Sequence, residues 1–200
     1  MHWRESRLTT NTANLAKLAL PSCEIRLRGD KKTAVDRASA GPSLPEFDPA
    51  NAALLFPTED SIELNEETAK QFSKGLTLIV PDGSWRQAQR VPVREAAIKN
   101  IPKLRLPPGP PSNFRLRHSP HEQNVSTFEA IARALGILEG KEVQKQLEDI
   151  FLVMVERVLW ARGKLAAKDS VTGIPAEAFE PARLAGIAGG KTKGWKTLLK

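Results

Sequence analysis

Asp82, Gly83, Ser84 and Trp85 follow directly on the apolar run Leu76-Thr77-Leu78-Ile79-Val80, which Pro81 stops. A carboxylate, a hydroxyl, a bare backbone and an indole therefore leave one strand together. As residue types they offer a general base, a hydrogen-bonding alcohol and an aromatic cover for a ligand. An aspartate at such an exit also serves as a turn or helix cap, and a tryptophan as core, so the residues alone leave both readings open. The address itself is favourable, because open α/β sheets bind ligands beyond the carboxyl ends of their strands.

Two further strand exits and one helix start could line the same pocket: Phe56-Pro57-Thr58, Leu106-Pro107-Pro108-Gly109 and Ser126-Thr127. Backbone rich in Pro and Gly leaves carbonyls and amides free for the edge of a heterocycle such as adenine, with Phe56 and Leu106 as apolar cover. Arg115 and Arg117 alternate with Phe114 and Leu116, and His118 and His121 follow, which makes an anion-binding face. Arg86 and Arg90, four apart on the helix expected after the pocket, extend it or form a solvated helix face.

Other chemistries have little support. Gly190-Lys191-Thr192 resembles the end of a phosphate-binding loop, but the required first glycine falls at Ala185 and no apolar strand feeds the turn. Pro120 separates His118 from His121 and no third ligand is indicated, so no metal is expected. There is no Gly-x-Ser-x-Gly elbow. The single cysteine, Cys23, reads as a small packing residue.

The elements that must position these residues alternate. Thr9-Thr10-Asn11 supplies N-cap candidates for a first helix with Leu15, Leu18 and Ala19 on one face, closed by Pro21, and Glu24 to Arg28 alternates like a strand. Residues 29–49 read as a functional loop or a weakly ordered one. Ala52 to Phe56 is a strand, a polar helix spans about Asp60 to Phe72, and a strand then ends before Asp82. A helix follows Trp85, and Lys103 to Leu106 is a strand. Ser126-Thr127-Phe128-Glu129 is a capping box that opens a helix through Leu138, and a second helix covers about Gly140 to Arg162. This order predicts a mostly parallel α/β sheet flanked by helices.

At 200 residues, 40% apolar and 26% charged, the chain suits one domain with a sizeable core. Thirty Lys and Arg against 23 Asp and Glu give a formal charge of +7, which favours polyanionic partners. No stretch approaches the roughly 20 apolar residues of a bilayer span, and the polar start lacks a secretion signal, so the expectation is a cytoplasmic protein without a membrane partner. The basic end, Lys191-Thr192-Lys193-Gly194-Trp195-Lys196, is a frayed terminus or an RNA contact.

Asp82-Gly83-Ser84-Trp85 with Ala88, Leu106 to Gly109, Phe114 to Arg117 and Ser126-Thr127-Phe128-Glu129-Ala130 recur in an order and spacing that resembles the DTW-domain proteins. His2 with Glu5, Asn11-Thr12, Arg28-Gly29 and Phe56-Pro57 are similar to that family's earlier blocks. Ser84 stands where a threonine is usual, and the cysteine-rich segment that often precedes the His-x-x-Glu block is missing, which implies a branch without that metal site or a shortened start.

The resemblance implies a SPOUT-like α/β fold with a knotted cofactor site. It implies a catalytic domain over residues 1–165 and a basic tail over 166–200. The implied activity transfers the 3-amino-3-carboxypropyl group of S-adenosylmethionine to N3 of a tRNA uridine, releasing methylthioadenosine. On that reading Asp82 takes or orients the N3 proton, Ser84 hydrogen-bonds donor or base, and Trp85 packs on the sulfonium side. Phe56, Pro57, Leu106, Pro108, Gly109, Ser126 and Thr127 hold the donor, with Thr127 and nearby helix-start amides meeting its carboxylate. Glu129 engages the donor's amino group or completes the capping box, and Ser126 holds the donor or does no more than cap. Arg86, Arg90, Arg115, Arg117 and His121 meet the RNA. The rival readings are an S-adenosylmethionine-dependent RNA methyltransferase and a non-catalytic RNA-binding or ribosome-assembly factor.

Overall fold

Four short strands run parallel in the order β2-β4-β1-β3 in the computed structural model, which describes residues 1, 8, 10–27, 47–72, 75–116 and 124–179. They are β1 (Ala52–Leu55), β2 (Ile62–Glu63), β3 (Thr77–Ile79) and β4 (Lys103–Arg105). All four residues of β1 are buried, as a strand covered on both faces requires. The mixed α/β architecture with a parallel sheet matches the alternation in the sequence.

The two faces of β1 serve different layers. Ala52 and Leu54, with Phe56 beyond the strand, pack against Ala88, Ile98 and Ile101. These come from the segment that holds α3 (Trp85–Ala88), α4 (Val91–Arg94) and a 3-10 turn at Ala96–Ile98. Ala53 and Leu55, together with Leu64 and Leu104, pack against Ala134 of α5 (Thr127–Leu138). The opposite face of α5 carries Phe128, Ile131 and Ala132. They meet Ala16 of α1 (Thr12–Ala19) and the stripe Leu147, Phe151, Val155 and Leu159 of α6 (Lys141–Ala161). α5 is thus the central helix, apolar toward the sheet on one side and toward α1 and α6 on the other. Its Gly136 lets α6 come close: a Cβ there would stand 2.7 Å from the Cβ of Gln144.

Three local expectations change. Glu24 to Leu27 forms no strand, because a two-residue period needs a neighbouring edge and the segment pairs with none among the described residues; Arg28 lies outside them. The polar helix shrinks to α2 (Glu66–Ala69), since Ile62 and Glu63 pair with β4 and Asn65 caps the helix from Glu67 and Thr68. Leu18 is 84% exposed, so Thr12, Ala13 and Ala16 form the buried face of α1.

Residues 166–179 fold back on α6. Glu156, buried in that helix, accepts hydrogen bonds from the hydroxyls of Ser170 and Thr172 and from the amides of Val171 and Thr172. Burial alone would push its carboxyl up; these donors outweigh it and hold the pKa down to about 2. Trp160 meets Phe179 edge-on at 5.4 Å. Among the described residues no helix is long and apolar enough to cross a membrane.

Candidate active site

The carboxyl ends of β1, β3 and β4 open on one cleft of about 890 Å³. Phe56 and Pro57 enter it from β1, Val80, Pro81, Gly83 and Trp85 from the β3 exit, and Leu106 to Gly109 from β4. Thr127, Ala130 and Arg133 close it from one face of α5, and Glu63 and Arg105 add charge at its side. The convergence follows from parallel pairing, which puts strand exits at the same edge of the sheet.

Pro81 ends β3 and turns the chain so that the carboxylate of Asp82 points inward, 8% exposed. Its Oδ2 accepts from Asn11 Nδ2 at 2.8 Å and its Oδ1 from the Thr127 hydroxyl at 2.7 Å. Asn11 also caps α1, accepting from the amide of Asn14. Asp82 therefore sits where the N-termini of α1 and α5 meet, and the positive ends of both helices favour a negative charge there. Asp82 does not line the cleft, whereas Thr127, which donates to it, does. Since a hydroxyl has one proton and Thr127 gives it to Asp82, its oxygen is left as an acceptor.

The next residues turn sharply. Gly83 has φ +145°, a conformation that L side chains rarely adopt, and a Cβ there would lie 3.2 Å from the Cβ of Gln87. Ser84 is exposed at the N-cap of α3, its amide donating to Gln87 Oε1 at 2.7 Å; it does not line the cleft. Trp85, 41% exposed, does line it and packs on Phe56 with ring centroids 5.1 Å apart, so the two form an aromatic wall.

The proline loop after β4 is tied to α5 by two side chains. Glu129, 4% exposed, completes the capping box by accepting from the Ser126 amide at 2.9 Å, and it also accepts from Ser112 Oγ at 2.6 Å and the Asn113 amide at 2.7 Å. Arg133 donates to the carbonyl of Pro110 at 2.8 Å. Ser126 caps α5 and stays out of the cleft wall.

Of the residues singled out for a pocket, the structure gathers Phe56, Pro57, Trp85, Leu106, Pro108, Gly109 and Thr127 around one space and holds Asp82 one hydroxyl behind it. The arginines are placed differently. Arg86 lies exposed on α3; Arg90 is exposed beyond the end of that four-residue helix, so the two share no continuous helix. Arg115 is half-exposed and approaches Glu156 at 3.9 Å, while Phe114 and Leu116 turn into the core. Arg117, His118 and His121 lie outside the described residues, as does the basic tail. Sequence reasoning missed Asn11 as a partner of Asp82, and Glu63, Arg105 and Arg133 as cleft residues. The spacing Thr127, Ala130, Arg133 was the available signal for the last, since residues three apart share a helix face.

A curated relative from Drosophila melanogaster, named tRNA-uridine aminocarboxypropyltransferase 2, is 29% identical over 100 residues, 50% of this chain and 39% of the relative. The chain thus spans well under half of that relative's length. No solved structure matches the chain. The DTW domain family matches residues 1–159, most of the chain, and the protein belongs to that family.

Proposed function

We propose that this protein transfers the 3-amino-3-carboxypropyl group of S-adenosylmethionine to N3 of a uridine in tRNA and releases methylthioadenosine. The observation that carries the reading is the Thr127–Asp82 pair, in which a cleft-lining threonine gives its hydroxyl proton to a buried carboxylate. DTW membership and the name of the Drosophila relative support the same activity. The residues fit the donor. A cleft of about 890 Å³ suits a nucleoside with a short side chain. The Phe56–Trp85 wall offers apolar cover, and an indole face attracts a sulfonium.

When bound, the donor supplies a sulfonium that activates the carbons attached to it. Thr127 Oγ takes the N3 proton of the uridine while its own proton moves onto Asp82. The nitrogen electron pair forms the new N–C bond, and the pair from the broken C–S bond stays on sulfur. Which of the sulfonium carbons reacts is a matter of position: the aromatic wall and the proline loop, tied down by Glu129, hold the reacting carbon in line. Ser84, exposed beside the rim, meets the incoming base, and Arg86, Arg90, Arg115, Arg117 and His121 contact the tRNA. The reading carries with it a SPOUT-like, knotted scaffold over residues 1–165, a basic tail over 166–200 and a cytoplasmic location.

Chromatography of the spent donor after incubation with bulk tRNA tests the reaction. Methylthioadenosine is the expected product. S-adenosylhomocysteine would make the protein a methyltransferase, and an unspent donor with tRNA retained would make it a non-catalytic RNA-binding protein.

A further inference from the structure

Among the described residues, three charged side chains line the cleft: Glu63, Arg105 and Arg133. Two of them answer each other. Arg105 Nη2 lies 3.8 Å from Glu63 Oε2, and its Nη1 donates to the carbonyl of Ser61. Arg133 has no such match. Its Nη2 donates to the carbonyls of Pro110 and Pro111 at 2.8 and 3.4 Å, its Nε is buried without a hydrogen-bond partner, and among the described residues no carboxylate pairs with it. The backbone crowds it as well: a Cβ on Gly109 would stand 3.2 Å from Nη1. Stapling the proline loop accounts for one nitrogen, and Nε is shut off from the cleft; the charge and Nη1 have no acceptor among the described residues. A guanidinium so placed is completed by an anion in the cleft, and a carboxylate matches its planar donor geometry.

We infer that Arg133 is the carboxylate anchor of the donor site. The inference rests on the function proposed above, and it names the group that fixes the transferred chain. S-adenosylmethionine carries one anionic group, the carboxylate of the aminocarboxypropyl arm; its sulfonium and ammonium are repelled by a guanidinium. Anchoring that carboxylate at Arg133 holds the arm at its far end, so that the carbon next to sulfur is held toward the nucleophile and the methyl is left aside. Thr127, six residues earlier on the same helix, keeps its oxygen for the proton. A tRNA phosphate is the other source of an anion that Arg133 could take.

Calorimetric titration of the whole chain with S-adenosylmethionine and with decarboxylated S-adenosylmethionine separates these cases, because the two ligands share the sulfonium and the amine and differ in the carboxylate. Wild type is expected to bind the carboxylated donor at least ~10-fold more tightly. Arg133→Gln loses ~30-fold or more toward that donor and within ~2-fold toward the decarboxylated one, and Arg133→Lys recovers part of the loss. Equal affinity of wild type for both ligands overturns the assignment, even where the Gln variant fails to fold. Equal losses for both ligands in the Gln and Lys variants also overturn it and leave the loop staple as the role of Arg133. An unchanged ligand ratio with weaker tRNA binding and a shallower salt dependence assigns Arg133 to phosphate instead. If wild type binds neither ligand, the proposed function itself falls.

Discussion

Replacing Thr127 by Val removes one hydroxyl and keeps the shape of the side chain, so it isolates the contact on which the proposed reaction turns. Asp82 is 8% exposed and accepts one hydrogen bond from Thr127 and one from Asn11. Losing a hydrogen bond to a buried charged group costs about 1.5–3 kcal/mol. For a domain of this size, about 2 kcal/mol corresponds to a fall in Tm of roughly 4–8 °C. The chemical loss should be larger than the stability loss implies, because the variant also lacks the proton acceptor, and general base catalysis contributes about 10²–10⁴-fold. Asn11→Ser is the matched control. It removes the other donor to Asp82 while a serine still caps α1, so stability falls by a similar amount and the proton path stays intact. Single-turnover rates on tRNA, with urea unfolding of each variant, should show Thr127→Val slowed at least ~100-fold, Asn11→Ser slowed less than ~10-fold, and Thr127→Ser close to wild type. A Thr127→Val protein within about threefold of wild-type rate, or equal slowing in both variants, would refute the relay and leave Asp82 as a structural pin.

The clasp on the proline loop gives a second expectation: Glu129→Ala strips the acceptor from Ser112, Asn113 and Ser126 and should cost about 3 kcal/mol or more in urea unfolding, whereas Glu129→Gln should lose less stability yet still weaken donor binding. At the other end of the molecule, Glu156 has its folded pKa lowered to about 2 from an ordinary value of 4.5. Its stabilising contribution is therefore complete above about pH 4.5 and is lost as pH falls through the folded value. The stability difference between wild type and Glu156→Gln, measured by denaturant titration, should be constant from pH 8 to 5 and shrink from about 4.5 toward 2; a difference that grew over that interval would contradict the hydrogen-bonding pattern.

The legible parts of this protein are the local ones. Ser126 and Glu129 lie three apart, and a capping box needs nothing beyond that turn, so the start of α5 could be read directly. The convergence of Phe56, Trp85 and Leu106 on one cleft was equally readable, because parallel strands share the edge at which they end. What the residues could not display were partners distant in the chain. Asp82 is held by Asn11 and Thr127, 71 and 45 positions away, and those contacts occupy both of its carboxylate oxygens. Glu129 shows the same limit: its capping role was visible, and its hold on Ser112 and Asn113 was not. The polar stretch after Asp60 misled because its spacing suits a helix, while the edge of β4 claimed Ile62 and Glu63 first. Arg133 stood at a readable spacing, but its hold on the carbonyls of Pro110 and Pro111, 23 and 22 positions away, could not be read.

Nucleoside mass spectrometry of tRNA incubated with this protein and S-adenosylmethionine tests the central claim most directly. The account predicts a uridine heavier by one aminocarboxypropyl group, attached at N3, appearing in step with methylthioadenosine and nearly absent with Thr127→Val. A methylated nucleoside, or the adduct formed at an undiminished rate by the valine variant, would contradict it.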